Sequence, residues 1–218
     1  MSARENANEN ARAAILQSVR DALRRGPLDA TQVAALDARV PRHTRPAHDE
    51  DLVARFMRKF ESRAGTVEHV ASRDAVPAAV EAYRLAHRLP QRAAVGAALK
   101  DLAWPEGWLI HHEAAGITEA LAVSPALCGI AEIGSLMLAS GPDSPTTHNF
   151  VPDDHVVVLE TARIVDHFED AWTELRARPQ GMPRATNIIS GPSRTADVEQ
   201  TIQLGAHGPR RVHVILVG

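Results

Sequence analysis

The chain begins with a helical pattern of apolar positions. Across residues 6–25, apolar side chains recur every three or four positions, at Ile15, Val19, Ala22 and Leu23. The pair Gly26-Pro27 follows where a helix usually stops. Residues 28–48 carry prolines, histidines and arginines without a clear period. We therefore predict a first helix and a linker, residues 1–48, ahead of a main domain over residues 49–218.

Helical and extended patterns alternate in the first half of this main domain. The helical segments carry apolar stripes and end near Gly65 and Pro90, which are common stop signals. The predicted order is a helix over 52–60, a strand over 66–71, a helix over 76–89, and short strands over 93–95 and 108–111. Such alternation indicates an α/β fold in which helices cover both faces of a mostly parallel sheet.

The middle of the chain combines a buried strand with a long polar loop. The apolar run over residues 136–139 is too short for an ordinary helix, and it predicts a buried strand paired with Val156–Leu159. The loop between them, residues 140–154, is long enough to suggest a functional role. A helix is predicted over 164–176.

The end of the chain predicts a βαβ unit. Its strands are residues 187–189 and 212–217, and its helix is residues 196–204. A right-handed crossover would join these two strands in parallel. The loop 191–195 would then lie at the carboxyl end of a strand, where open α/β sheets bind ligands.

Composition and charge narrow the function classes. Hydrophobic residues make up 44% and charged residues 23%, as in globular domains. A net charge of -3 does not provide the basic surface that nucleic-acid binding needs. The N-terminus is polar, and no stretch approaches the roughly 18 apolar residues that span a bilayer. We expect a cytoplasmic protein with no nucleic-acid partner and no membrane span.

Motifs for common cofactors do not occur in the sequence. There is no Gly-x-Gly-x-x-Gly, no P-loop and no Cys-x-x-Cys cluster, so we expect no cofactor bound by this chain. The single cysteine, Cys128, excludes an intramolecular disulfide and fits a reducing compartment. Its neighbours are apolar, so we interpret it as a small buried residue rather than a reactive thiol.

Two segments carry candidate chemistry. In the loop 191–195, Gly191 permits close approach of the backbone, and Ser193, Arg194 and Thr195 offer donors for a carboxylate or phosphate. On spacing alone, a plain helix cap at Thr195 is the favoured alternative. The carboxylate of Glu132, predicted between two glycines in an apolar strand, could act as base or nucleophile, or could simply bond backbone amides.

Histidine-rich segments also invite a metal site. His148, Asn149, Asp153, Asp154 and His155 form one cluster, and residues 111–113 form another. Neither has the tight ligand spacing of known zinc motifs, and adjacent residues on a strand point to opposite faces. We therefore expect polar loops and no metal site.

Longer motifs resemble a known family. Residues 190–199, followed by 204–209 and 213–216, are similar to the C-terminal signature of the lactate-utilization protein C (LUD-domain) family. Residues 129–138, Gly-Ile-Ala-Glu-Ile-Gly-Ser-Leu-Met-Leu, resemble its central glycine-glutamate strand, and residues 152–158 its following strand.

The resemblance implies a three-layer fold like those of ribose-5-phosphate isomerase, CoA transferases and 5-formyltetrahydrofolate cyclo-ligase. It also implies a subunit of a system that oxidises L-lactate to pyruvate, in which iron-sulfur partner proteins carry the electrons. It favours ligand binding over capping at the loop 191–195, and it adds Gly134, Ser135 and His155 to the residues expected to bind a small anionic metabolite.

Two other functions stay open from the sequence. One is a free-standing enzyme, resembling a CoA transferase or an isomerase, that uses Glu132. The other is a noncatalytic regulatory module that senses a metabolite and assembles into an oligomer through its first helix.

Overall fold

The structure, a computed structural model, describes residues 3–24, 26–39, 44–196, 202–205 and 207–218. The chain divides into two compact units, residues 1–44 and 45–218. The helices are α1 (Ala3–Leu23), α2 (Ala30–Asp37), α3 (Leu52–Glu61), α4 (Val76–His87) and α5 (Phe168–Arg176). The strands are β1 (Thr66–Val70), β2 (Arg92–Val95), β3 (Leu109–His111), β4 (Leu121–Pro125), β5 (Cys128–Ile130), β6 (Ser135–Ala139), β7 (Asp154–Glu160), β8 (Ile164–Val165), β9 (Thr186–Ile189), β10 (Arg194–Ala196), β11 (Ile202–Leu204) and β12 (Arg211–Val217).

The N-terminal unit consists of the predicted first helix, α1, and the short helix α2. Asp29 caps α2, because its carboxylate accepts a hydrogen bond from the Gln32 N–H at 2.8 Å, while the Gln32 side chain accepts one from the Asp29 N–H. On α1, Ile15, Val19 and Leu23 are exposed, and their role in assembly stays a prediction. In the described parts of the chain, every helix is too short or too polar to cross a membrane.

A six-stranded parallel sheet forms the centre of the second unit, in the order β1-β12-β7-β4-β2-β3. The predicted α/β fold with a mostly parallel sheet is confirmed. Strand β7 lies in the middle and pairs with β12 on one side and β4 on the other, so that Val157 lies opposite both Val214 and Ser124.

Helices cover the two faces of this sheet. On one face, Val76, Val80 and Tyr83 of α4 pack on alternate residues of the strands, among them Val156 and Ile215. On the other face, Phe56 and Phe60 of α3 pack against the intervening residues. The middle strands therefore bury both faces, which explains the continuous apolar runs Val156–Leu159 in β7 and Val214–Val217 in β12, whereas the edge strands β1 and β3 are more exposed.

A second, four-stranded sheet lies on the α3 side, in the order β8-β5-β6-β9. The predicted pairing of residues 136–139 with Val156–Leu159 is wrong, because β6 pairs with β5 and β9 instead. Leu136 and Leu138 face the central sheet, whereas Met137 faces α5. A strand buried on both faces would be apolar in either sheet, so the apolar run over residues 136–139 does not show which strand it pairs with. The helix predicted over 164–176 begins only at Phe168, since residues 164–165 form β8.

The predicted C-terminal βαβ unit is also wrong. Strand β9 belongs to the second sheet, and β12 to the central sheet, so no crossover joins them as neighbours. Where the helix 196–204 was predicted, β10 and β11 pair as antiparallel strands, with Arg194 opposite Leu204. Residues 197–201 lie outside the described residues. The alternation Ile202-Gln203-Leu204 fits a strand, which the helical interpretation overlooked.

Candidate functional site

A cavity of about 630 Å³ lies beyond the carboxyl ends of two strands. Pro125 ends β4 and Ala139 ends β6, and both residues line the cavity. The turn 140–144 and the connector between α5 and β9 form its other walls. Parallel sheets usually bind ligands beyond the carboxyl ends of their strands, so this cavity has the expected position for a ligand site.

Three arginines give the cavity a positive charge. Arg163, Arg178 and Arg184 line it, against a single carboxylate, Asp143. Arg163 lies 3.6 Å from Glu174, but both side chains are about half exposed, so this ion pair is weak and leaves the guanidinium available. Guanidinium groups bind carboxylate and phosphate oxygens through paired hydrogen bonds. The cavity is therefore suited to an anionic ligand.

Hydrogen bonds hold the two sides of the cavity together. In the turn, Gly141 and Ser144 exchange backbone hydrogen bonds of 3.2 and 3.1 Å. Ser140 and Ala185 connect the turn to the connector, because the Ser140 N–H donates to the Ala185 carbonyl and the Ala185 N–H donates to Ser140 Oγ, both at 2.9 Å. A Cβ on Gly96, just after β2, would lie 2.9 Å from Pro125 Cδ and 3.1 Å from the Asp143 carbonyl, so glycine permits the turn to approach the end of β2.

Glu132 lies at the opposite end of α5, in the turn between β5 and β6 and not in a strand. Its Oε2 accepts a hydrogen bond of 3.1 Å from the backbone N–H of Phe168, the first residue of α5. The same oxygen lies 3.6 Å from His167 Nδ1. A carboxylate at this place stabilises the positive end of the helix dipole. The geometry thus matches the open alternative in which Glu132 bonds backbone amides.

A network of imidazoles and carboxylates surrounds Glu132. His48 Nε2 is hydrogen-bonded to Asp166, and His167 Nε2 lies 3.5 Å from the other oxygen of Asp166. Both imidazoles are about nine-tenths buried. The network ties the segment that precedes α3 to the start of α5. These contacts therefore connect α3 and α5 structurally.

The comparisons with known proteins place the second half of the chain in a family. The LUD domain family model matches residues 116–217. Residues 116–217 form a LUD domain. This confirms the resemblance to the lactate-utilization protein C family. The matched range contains all of β4 to β12 and the three arginines of the cavity.

Individual relatives match over similar lengths of the chain. An uncharacterised protein of Neisseria meningitidis serogroup B is 40% identical over 94 residues, which are 43% of this chain and 40% of that protein. Lactate utilization protein C of Halalkalibacterium halodurans is 31% identical over 91 residues, 40% of each chain. That of Bacillus subtilis is 31% identical over 91 residues, 40% of this chain and 38% of the relative. The matches thus span about 40% of the length of these relatives.

A solved structure supports the fold. A DUF162-family protein from Deinococcus radiodurans superposes with a TM-score of 0.57 over 79% of this chain and 100% of its own, at 18% sequence identity. At this identity the likeness concerns the fold alone.

Within the LUD domain, the backbone of the loop 191–195 contacts other parts of the chain. A Cβ on Gly191 would lie 2.7 Å from the Arg63 carbonyl, so this glycine permits contact with the chain that follows α3. The Ser193 N–H donates to the Pro209 carbonyl at 2.9 Å. Arg194 is exposed at the start of β10, and Thr195 lies opposite Gln203 in a strand, not at a helix N-cap. Ligand binding at this loop stays a prediction.

Gly134, Ser135 and His155 also have structural partners. Gly134 has φ +57°, and a Cβ there would lie 2.7 Å from the Lys59 carbonyl carbon in α3. The hydroxyls of Ser135 and Ser190 are 2.5 Å apart. His155 is fully buried near the amino end of β7, with Nε2 3.0 Å from Ser124 Oγ. None of the three lines the arginine cavity, and their ligand-binding role stays a prediction.

The residues of the predicted histidine clusters contact different partners and do not form one site. His148 Nε2 donates to the Glu113 carbonyl at 2.8 Å, whereas Asp154 is held by Arg211 and Tyr83. In the described parts of the chain, no three histidine, cysteine or acidic side chains come together as metal ligands. Cys128 is fully buried, and burial raises its pKa to about 12, which confirms its interpretation as an inert core residue.

Sequence reasoning missed the arginines of the cavity. Arg163, Arg178 and Arg184 are separated along the chain and belong to no motif. One available signal was the turn-rich segment 178–184, which has an arginine at each end, Pro and Gly residues between them, and follows a predicted helix. The length of the loop 140–154 suggested a functional role, and its first five residues line the cavity; its role in function stays a prediction.

Replacing Glu132 with alanine is expected to lower the free energy of unfolding by about 1 kcal/mol, because α5 loses a hydrogen-bond acceptor at its N-terminus. Glu132→Gln keeps an acceptor oxygen and should lose less. Chemical denaturation of both variants measures the difference. Equal stability of Glu132→Ala and the unmodified chain would show that the cap contributes nothing.

Acidification is expected to destabilise the second unit through its buried histidines. Burial lowers the pKa of His155 to about 3 and of His213 to about 4, from 6.5. The unfolded chain therefore binds more protons below pH 6.5, and the free energy of unfolding falls as pH drops from 6.5 towards 4, by up to about 1.4 kcal/mol per pH unit for each histidine.

The measurement is chemical denaturation at pH 7 and pH 5. His213→Gln should reduce the loss of stability between these two values, whereas His207→Gln, at an exposed position, should leave it unchanged. A free energy of unfolding that is equal at pH 7 and pH 5 would contradict the neutral, buried state of these imidazoles.

Proposed function

We propose that this protein is a component of a lactate-utilization system, acting in the oxidation of L-lactate to pyruvate. The observation that carries the proposal is the LUD domain over residues 116–217, together with relatives that are named lactate utilization protein C. The matches span about 40% of the length of those relatives.

Within that system, the LUD domain binds a small anionic ligand. The arginine cavity supports this role best, because Arg163, Arg178 and Arg184 face one space at the carboxyl ends of β4 and β6. Only Asp143 opposes their charge among the lining residues. The exposed Arg194 offers a second place for the anion, as the sequence predicts.

Iron-sulfur partner proteins take the electrons. Oxidation of L-lactate to pyruvate releases two electrons and two protons, which need an acceptor. Cluster ligation uses several thiolates, whereas this sequence has one cysteine, Cys128, in the core. We therefore place the electron carriers on partner subunits and ligand binding on this chain.

A gene deletion in the source organism tests the function. The deletion strain should lose growth on L-lactate and retain growth on pyruvate, and a plasmid copy of the gene should restore it. The tagged protein should co-purify with cysteine-rich iron-sulfur proteins from lactate-grown cells. Normal growth of the deletion strain on L-lactate, with no second copy of the gene, would refute the proposal.

A further inference from the structure

The arginine cavity is larger than a hydroxy acid requires. Its volume of about 630 Å³ lies within the range of pockets that hold ligands of nucleotide or cofactor size. L-lactate and pyruvate have only three carbons and one carboxylate. Such a molecule would occupy a small part of the space and leave most of it to water.

The walls of the cavity also differ in chemistry. Arg163, Arg178 and Arg184 supply the charged part, and Leu127 and Met182 belong to an apolar part. An inorganic anion would contact the arginines alone. A ligand that carries both an anionic group and a flat or apolar organic group would use both.

We propose that the cavity binds an organic phosphate of nucleotide size, a nucleoside diphosphate being the best match. The arginines hold the phosphates, and the apolar wall packs against the organic group. This inference rests on the anion-binding part of the proposed function and specifies its ligand class.

The number of arginines favours phosphates over one carboxylate. A carboxylate carries one charge and two oxygens, which a single guanidinium satisfies through paired hydrogen bonds. Three guanidinium groups would then bring surplus positive charge together, which is unfavourable. A diphosphate has more charge and more acceptor oxygens, so all three arginines find partners.

Asp143 adds a selective contact. Its carboxylate lies in the turn 140–144 and accepts hydrogen bonds from hydroxyl or amino groups. The sugar and base of a nucleotide offer such donors, whereas pyrophosphate offers none when fully ionised. The backbone bonds of Ser140 and Ala185 hold this turn in place before a ligand enters, which reduces the entropy lost on binding.

Isothermal titration calorimetry of the full chain tests the inference. ADP, coenzyme A, ribose 5-phosphate, pyrophosphate, L-lactate and pyruvate are titrated separately, each up to millimolar concentration. ADP should bind, and Arg178→Ala and Arg184→Ala should each weaken it about tenfold or more, the effect of losing one charged hydrogen-bonding group. Arg176→Ala, at an exposed position of α5 outside the cavity, is the matched control and should change Kd less than twofold.

A further variant separates the apolar wall from the charged part. Met182→Ser removes apolar surface without changing the charge, so it should weaken ADP binding severalfold and leave pyrophosphate binding unchanged within twofold. Circular dichroism and thermal unfolding confirm that each variant folds. Because residues 182 and 184 lie in an exposed connector, we expect native melting temperatures.

The outcomes separate this inference from the proposed function. Absence of binding by all the phosphate compounds, or equal binding in the arginine variants, overturns the inference. If only L-lactate or pyruvate binds and depends on the arginines, the inference fails while the proposed function stands. If ADP binds as expected but the deletion strain grows normally on L-lactate, the inference stands and the proposed function fails.

Discussion

Asp154→Ala is expected to lower the free energy of unfolding by about 3 kcal/mol. Asp154 is fully buried at the start of β7, and its oxygens accept hydrogen bonds from Arg211 Nε at 2.5 Å, Arg211 Nη2 at 2.6 Å and the Tyr83 hydroxyl at 2.7 Å. Removing the carboxylate leaves a buried hydroxyl and a partly buried guanidinium without their acceptor. Since the Arg211 side chain is 43% exposed, water compensates in part, and we expect the lower end of the usual range.

The neighbouring residue provides the control for this effect. Asp153 forms an ion pair of 3.3 Å with Arg210, but both side chains are more than 60% exposed. Asp153→Ala should therefore change the free energy of unfolding by less than about 0.5 kcal/mol. Urea denaturation of both variants gives the comparison. Equal, small losses would show that the buried network contributes no more than a surface ion pair.

Gly134→Ala is expected to destabilise the second unit by about 3 kcal/mol or more. Gly134 has φ +57°, a left-handed conformation that costs a residue with a side chain about 1–2 kcal/mol. In addition, the new Cβ would lie 2.5 Å from Lys59 Cβ and 2.7 Å from the Phe60 backbone nitrogen. Because helix backbone cannot move aside easily, α3 would have to shift away from the second sheet.

Gly181→Ala separates backbone strain from the steric contact. Gly181 also has a positive φ, +72°, but nothing lies within 4 Å of an added Cβ. Its substitution should cost only the conformational part, about 1 kcal/mol. Thermal or urea unfolding of the two variants measures the difference. A loss at Gly134 no larger than at Gly181 would mean that α3 does not pack on this turn as described.

The parallel sheet could be predicted because its strands are buried on both faces. Val156–Leu159 in β7 and Val214–Val217 in β12 are apolar runs, and a helical pattern lies between β1 and β2, so alternation was visible without knowledge of contacts. The second sheet could not be predicted in the same way. Strand β6 has the same apolar pattern, and only tertiary packing decides that it pairs with β5 and β9.

The C-terminal error has a different physical cause. The residues of β10 and β11 are short and mixed in character, and local propensity alone is a weak guide over so few positions. Their pairing, Arg194 opposite Leu204, depends on contacts between the two segments that sequence spacing does not reveal. In the loop before β10, Gly191 permits close contact with the Arg63 backbone. From sequence alone, such a glycine cannot be distinguished from one that permits a ligand to approach the backbone.

The cavity was not predicted from the sequence, because the loop 191–195, where a ligand is expected, does not line it. Ligand binding at the carboxyl ends of strands follows from the fold class, and the length of the loop after β6 suggested a functional role, but none of its residues was predicted to bind the ligand. Arg163, Arg178 and Arg184 meet only because the second sheet and α5 bring their backbones to one cavity. Since that sheet was not predicted, neither was the set of arginines.

Growth on L-lactate is the most direct test that the arginine cavity serves lactate utilization. The deletion strain should be complemented by the unmodified gene and by Arg176→Ala, but not by the double variant Arg178→Ala/Arg184→Ala, with all proteins present at equal levels. That result would tie the cavity to the function. Full growth with the double variant would contradict it, because the cavity would then lack two of its three cations without loss of function.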